Sequence, residues 1–284
     1  MALPAERALD LLGFVSRALA AHGVPDPERD AAVLVSEAMA IDTVAIYRDN
    51  PSATERARGR LEEMVLRRCG REPLQYITGR VEFFGLRLGV GRGVLIPRPE
   101  TELLVEEALR RLPGDRALEV LDLCTGSGCL ALAVASNLPA ARVTGTDLSA
   151  EAIRCARENA RANGVGNVTF LEGRLFEPVG DALFDAILSN PPYVESGEIP
   201  GLAPEVRDWE PRAALDGGPD GLDFFRLILP GAEARLGPAG LLIMEVGQGQ
   251  AARVSALAVS SGLRVLSVFK DLAGIDRAIV ARKA

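Results

Sequence analysis

Val120-Leu121-Asp122-Leu123-Cys124-Thr125-Gly126-Ser127-Gly128 decides the fold, because an apolar strand there runs into a glycine-rich loop that opens a helix. Glycine suits a sharp turn and lets a ligand come close to the backbone. Ala131 completes a G-x-G-x-x-A pattern. Alone, that pattern fits dinucleotides, S-adenosylmethionine or plain tight packing.

Outward from this loop, strands and helices alternate. Arg142 to Thr146 reads as a strand, Ala150 to Asn163 as a helix, and Val168 to Leu171 and Phe184 to Ser189 as further strands. A helix through Phe224 to Leu236 and a strand from Gly240 to Glu245 follow. Leu263 to Phe269 and Asp276 to Ala281 are joined by a short turn, which predicts an antiparallel pair. The rhythm predicts an α/β protein with a doubly wound, mainly parallel, seven-stranded sheet covered on both faces by helices. Such sheets bind ligands beyond the carboxyl ends of their strands. The second strand ends at Asp147, at the right distance to bond a ribose hydroxyl pair.

The fourth strand stops at Asn190-Pro191-Pro192-Tyr193. Proline lacks a backbone N–H and holds the preceding residue extended. The segment therefore offers carbonyl oxygens without competing donors. With the Asn190 side-chain oxygen, these acceptors suit a planar –NH2 group, whose two N–H bonds need two acceptors, and Tyr193 supplies a flat face. A Pro-Pro turn closing a strand is the plainer alternative. The loop, Asp147 and this motif are all expected to open on one crevice, which favours function.

Residues before the sheet are of another kind. From Pro4 to about Arg71 the pattern is helical: Leu9, Leu11, Leu12, Val15 and Leu19 recur at helical spacing, Pro25-Asp26-Pro27 breaks the run, and a second helix passes through Val33, Leu34 and Met39. A helix around Ala57 to Cys69 places Leu61, Met64, Val65 and Leu66 on an apolar side. Arg56, Arg60, Arg67, Arg68 and Arg71 then read as a solvated face, with a contact surface for an acidic or RNA-bearing partner as the alternative. Val81 to Leu95 alternates and is glycine-rich, as in a β-hairpin. In Ile96-Pro97-Arg98-Pro99-Glu100-Thr101-Glu102, Thr101 is expected to cap the next helix. The expected division is a helical domain over residues 1–78, a hairpin linker over 79–95 and the sheet domain over 96–284.

Composition narrows the function. The 284 residues carry 32 basic and 39 acidic side chains, a net charge of −7, which argues against broad nucleic-acid binding. One histidine, His22, reads as a helix-end residue and cannot build a histidine-rich metal centre or a Ser-His-Asp triad. Cys69, Cys124, Cys129 and Cys155 lack zinc-site spacing and read as buried thiols, so no metal is expected. No apolar run reaches the length of a membrane span and no signal peptide is evident, so a cytoplasmic protein is expected.

A nucleotide-type cofactor beside an acceptor pocket for –NH2 requires a transferable group, and the methyl of S-adenosylmethionine is the economical answer. An amide or aromatic amine is a poor nucleophile because its lone pair is delocalised. Binding both N–H groups to Asn190 and the Pro191 carbonyl favours a pyramidal nitrogen and aims the lone pair at the methyl. No strong base is required, since the methylated amide cation is acidic enough to release its proton to water.

Several motifs occur in order across nearly the whole chain: Pro73-Leu74-Gln75-Tyr76-Ile77, Leu95 to Glu102, Thr125 to Gly128, Ser189 to Tyr193, Glu210-Pro211-Arg212-Ala213-Ala214-Leu215 and Lys270 to Arg277. In these the sequence resembles the HemK/PrmC release-factor glutamine methyltransferases. The resemblance implies a class I S-adenosylmethionine-dependent, Rossmann-like catalytic domain and an N-terminal domain that helps dock a class 1 peptide-chain release factor. Its substrate would be the glutamine of the Gly-Gly-Gln motif. The resemblance places Cys124, Thr125, Gly126, Ser127, Gly128, Asp147 and Leu175 at the cofactor. It makes Asn190 a bridge between cofactor and substrate, and Pro191, Pro192 and Tyr193 the glutamine pocket, with Asn190, Pro191 and Tyr193 catalytic. Cys124 stands where the family often has glycine, which is tolerable if its φ is negative, and Arg174 stands where the family commonly has an acid. A monomer is expected. The rivals are a glutamine methyltransferase acting on a ribosomal protein, a nucleic-acid exocyclic-amine methyltransferase, which the acidic balance disfavours, and a non-catalytic binding protein.

Overall fold

The computed structural model describes residues 6–284; the expected helical start at Pro4 and Ala5 lies outside the described residues. In chain order the helical part runs α1 (Ala8–Ala21), α2 (Pro27–Met39), α3 (Thr43–Arg48), α4 (Glu55–Cys69) and α5 (Leu74–Thr78). The hairpin strands β1 (Arg80–Phe83) and β2 (Leu86–Gly89) follow, then α6 (Glu102–Arg111). The alternating part is β3 (Glu119–Leu123), α7 (Cys129–Asn137), β4 (Arg142–Asp147), α8 (Ala150–Ala162), β5 (Val168–Glu172) and β6 (Phe184–Ser189). It ends with α9 (Pro204–Arg207), α10 (Asp223–Arg235), β7 (Leu236–Glu245), α11 (Ala251–Ser260), β8 (Leu263–Lys270) and β9 (Asp276–Lys283).

The chain forms two compact units. One comprises the chain up to Gly79 together with Ala203–Trp209; the other comprises Arg80–Leu202 and Glu210–Ala284. In the helical unit, Leu11, Val15 and Leu19 of α1 bury their side chains with Leu34 and Val35 of α2 and Leu61, Met64 and Val65 of α4. Leu66 departs from the expected apolar side and is 53% exposed, because it lies one position beyond the stripe that Leu61, Met64 and Val65 define. Arg68 corrects the expectation of a solvated arginine face: it is 4% exposed and its guanidinium meets Asp30 at 2.7 Å and Glu205 at 2.9 Å. Arg71 pairs with the same Glu205 at 2.7 Å, Arg60 with Glu37 and Arg67 with Glu72. Glu205 lies in α9, far along the chain from α4, so no local pattern announces this cluster. His22 ends α1 and its Nδ1 lies 2.8 Å from the Ala18 carbonyl.

The sheet unit carries a seven-stranded sheet in the order β5-β4-β3-β6-β7-β9-β8. Strands β3 to β7 pair in parallel, and β9 pairs antiparallel with β7 and β8. The central strands are apolar on both faces: Val120, Leu121, Ala186, Ile187, Leu242 and Ile243 are buried, as strands covered by helices on both sides require. One core layer gathers α6, α7 and α8 residues such as Leu104, Leu132 and Ile153; the other gathers Phe225, Ile228 and Leu229 of α10 with Val254 of α11. Helix α11 is absent from the expected element series, because Ala251-Ala-Arg-Val-Ser-Ala-Leu-Ala-Val-Ser carries mostly small residues. The hairpin turns through Phe84 and Gly85 at φ 47° and 76°. Among the described residues the cysteines are free; only Cys155 is buried, whereas Cys69, Cys124 and Cys129 are partly exposed, which corrects the expectation of four buried thiols.

Candidate active site

Register sets the site. Leu123 lies beside Thr146 and Ser189, and Ser189 lies beside Met244, in four neighbouring parallel strands. The residues one step on are Cys124, Asp147, Asn190 and Glu245. They leave the carboxyl edge of the sheet in one row. The strand order reverses between β3 and β6, and at such a switch point the loops on either side diverge and leave a crevice. A cavity of about 570 Å3 lies there.

On the β3 side, Gly126 and Gly128 adopt φ 56° and 82° as the chain turns into α7. Asp122 is 1% exposed, and its Oδ2 accepts the Thr125 hydroxyl at 2.5 Å and the Ala131 amide at 3.1 Å, so the loop is folded around a buried carboxylate. Burial pushes Asp122 up to about 7, against the pull of those two donors. Asp147 accepts the Gly126 amide on one oxygen and the Ser149 amide on the other, both at 2.9 Å. Its pKa is raised, chiefly by burial. Each Asp147 oxygen keeps a lone pair for a further donor. Gly145 of β4 has no room for a side chain: a Cβ would stand 2.6 Å from Phe170 and 2.8 Å from Thr125 Oγ1. Leu175 is drawn to this side by its carbonyl, which accepts the Thr146 hydroxyl at 2.9 Å.

On the β6 side, Asn190 Nδ2 donates to Thr101 Oγ1 at 3.1 Å, and the Thr101 hydroxyl donates to Glu245 Oε2 at 2.6 Å. The Tyr193 hydroxyl donates to the other Glu245 oxygen at 3.0 Å. Thr101 does not cap α6, as the local sequence suggests; no side-chain cap bond forms there. Burial raises the Glu245 carboxyl, with the two hydroxyls and Arg277 opposing it. The Tyr193 phenol is likewise raised, first by burial and then by Glu245. Gln250 Nε2 holds the Tyr193 carbonyl at 2.8 Å. Val194 bridges to Asp216, bringing the following loop back against the motif, so that a Cβ on Gly217 would stand 2.7 Å from Tyr193 Cα.

The donor set fits a nucleoside ligand. Ser127 Oγ, on the cavity wall, is buried without a partner among the described residues, and nothing lies within 4 Å of where a Gly126 Cβ would be. Val94, Leu130, Leu148, Leu175 and Phe224 supply apolar walls.

Two families match the chain: residues 10–79 match the PrmC N-terminal domain, and residues 99–203 the Methyltransferase small domain. A release factor glutamine methyltransferase from Thermodesulfovibrio yellowstonii is 45% identical over 90% of this chain and 92% of its own. The chain belongs to the release factor glutamine methyltransferase family. The Geobacter sulfurreducens member is 47% identical over 93% of this chain and 92% of its own. Among solved structures, a methyltransferase from Pyrococcus furiosus superposes with a TM-score of 0.53 at 19% identity over 70% of this chain and 89% of that one, a likeness of fold.

In this family member, Cys124, Thr125, Gly126, Ser127, Asp147, Leu175, Asn190 and Pro192 line this cavity. Gly128, Pro191 and Tyr193 do not line it; Gly128 packs toward Ala156 and Phe170 instead. Arg174 does. Cys124 has φ 59°, so the condition of a negative φ under which a side chain is tolerable is not met: a left-handed residue is needed where β3 breaks into the loop, and a side chain there costs about 1–2 kcal/mol relative to glycine. Leu175, which lines the same cavity, has φ 47°. Strained backbone at two positions of one cavity is common at functional sites.

Glu245, Gln250, Thr101 as a linker and the Arg98–Glu210 pair at 2.7 Å are not among the residues expected from the sequence. The signal for Glu245 was present, a lone acid ending the apolar run Leu241 to Met244 at the edge where ligands bind. Arg98 and Glu210 belong to two quoted motifs, but nothing local pairs them.

Proposed function

We propose that the chain transfers a methyl group from S-adenosylmethionine to the side-chain amide nitrogen of the glutamine in the Gly-Gly-Gln motif of class 1 peptide-chain release factors. Membership of the family carries the reaction and the substrate class. The single structural observation behind the site assignment is that Asp147, the glycine loop and Asn190 line one cavity.

Asp147 would hold the ribose hydroxyls, and Thr125, Gly126 and Ser127 would receive the rest of the cofactor against their backbone. Leu148 and Leu175 offer apolar surface for the adenine. When bound, the cofactor supplies an electrophilic methyl on a sulfonium: the amide lone pair forms the N–C bond as the C–S bond breaks, and its electron pair goes to sulfur. The chain's residues supply alignment. Asn190 Oδ1 and the Pro191 carbonyl would accept the two N–H bonds, steer the lone pair and stabilise positive charge growing on nitrogen. Pro192 and Tyr193 would confine the glutamine. The proton leaves the methylated nitrogen for water, so the absence of a histidine from the motif is no obstacle.

The helical unit is read as the part that docks the release factor, acting in the cytoplasm as a monomer and without direct nucleic-acid contact. Among the described residues no helix is long and apolar enough to cross a membrane. Peptide mass mapping after incubation with S-adenosylmethionine and either a release factor or ribosomal proteins tests the reading. A single methyl on the Gly-Gly-Gln glutamine is expected. A methyl found only on a ribosomal protein would overturn the substrate.

A further inference from the structure

We propose that Thr101 and Glu245 are positioning residues that fix which end of the Asn190 amide faces the substrate, and so make the pocket select an amide over a carboxylate. The inference rests on the proposed glutamine substrate and adds the origin of its selectivity. The geometry is a chain of three side chains from three separate elements: Asn190 after β6, Thr101 before α6 and Glu245 at the end of β7.

The protons available to these groups fix the direction of each bond. In its ionised form Glu245 accepts a hydroxyl on each oxygen, Thr101 at 2.6 Å and Tyr193 at 3.0 Å. A carboxylate only accepts, so both hydroxyl protons are committed to it. Thr101 has one proton, and once it is committed, Thr101 Oγ1 can only accept. The Asn190 group 3.1 Å from that oxygen must therefore be the NH2 end. An amide is planar, with its oxygen turned away from its nitrogen. Asn190 lines the cavity, and its Nδ2 is the end held by Thr101. Oδ1 is thus the free acceptor, suited to an N–H of a substrate amide and opposed to a carboxylate oxygen.

Without the relay, nothing distinguishes the two ends of the Asn190 amide. Turned over, it would present NH2 to a substrate NH2, two donors face to face, and would welcome a carboxylate instead. A buried donor without an acceptor is the expensive outcome in such pairings. Glu245 also holds Tyr193 through its second oxygen, so one buried carboxylate orients both ends of the Asn190 to Tyr193 motif.

The test uses the full chain, a release factor and the same release factor with glutamate in place of the Gly-Gly-Gln glutamine. Binding of each is measured with S-adenosylhomocysteine present, and methyl transfer to the first is measured separately. Wild type is expected to favour the glutamine form. Thr101→Val, which keeps the side-chain shape, is expected to reduce that preference at least about tenfold and to lower kcat at least about tenfold, leaving cofactor affinity within about twofold. Thr101→Ser restores the hydroxyl and is expected to recover both. Glu245→Gln is the second variant. Its amide can donate to Thr101 and release the hydroxyl proton toward Asn190, so it is expected to lose part of the same preference, and little more in combination with Thr101→Val. Unchanged preference and kcat in Thr101→Val, or equal losses in Thr101→Ser, would overturn the relay while leaving the glutamine substrate intact. Failure of wild type to methylate the glutamine would instead overturn the substrate reading, and the relay with it.

Discussion

Arg98 Nη2 donates to Glu210 Oε1 at 2.7 Å, although 112 residues separate them. Both flank the cavity: Pro97 and Thr101 line it from the first segment, and Pro211, Ala213 and Ala214 from the second. Glu210 is 6% exposed, and burial raises its carboxyl against the pull of Arg98. Replacing Arg98 with methionine leaves that acid buried and unpaired. Allowing for the partly exposed arginine, a loss of about 2 kcal/mol is expected, a fall in Tm of about 4–8 °C. Adding Glu210→Gln should recover most of it, as thermal unfolding of the four-member cycle would reveal.

Asp147 ties the ligand side together, because it receives the Gly126 amide while facing the cavity. Asp147→Ala should raise the dissociation constant for S-adenosylhomocysteine at least about tenfold, the loss of a hydrogen-bonded charge in a buried site. Calorimetry would measure it. An unchanged constant would remove Asp147 from the ribose.

Cys124 at φ 59° offers a test of backbone strain. Cys124→Gly relieves the left-handed penalty but increases the freedom of the unfolded chain, so a net change within about 1 kcal/mol is expected. Cys124→Val places a β-branched residue at the same angle and should cost about 2 kcal/mol or more. Urea unfolding of the pair separates strain from the loss of the thiol.

Asp122 makes stability depend on pH. Its folded value lies at about 7, above the ordinary value of 3.8, so between these pH values the folded chain holds a proton that the unfolded chain has lost. Stability is therefore fully present below about pH 4 and falls as pH rises toward 7, by up to about 1.4 kcal/mol per pH unit. The difference in unfolding free energy between wild type and Asp122→Asn should show that slope. A flat difference would place the Asp122 carboxyl in its ordinary range.

The sheet was legible because the parallel strands β3 to β7 are apolar runs followed by a glycine loop, a proline or an acid, and because those endings fall on one edge. The glycine loop, Asp147 and Asn190 could be placed together for the same reason. What stayed hidden depends on partners distant in sequence. Thr101 looks like a helix cap because Glu102 follows it, but its hydroxyl bonds Glu245, 144 residues away. Arg68 looks like one more surface arginine until Asp30 and Glu205 close around it. The φ of Cys124 is set by how β3 leaves the sheet, which its neighbours do not encode.

If Asn190 receives the substrate amide, single-turnover methylation of a release factor by wild type and Asn190→Ala, read by mass mapping of the Gly-Gly-Gln glutamine, will show it. One methyl on that amide is expected from wild type and a rate at least about a hundredfold lower from the variant, with unchanged thermal stability. Near-normal transfer by Asn190→Ala would contradict that role.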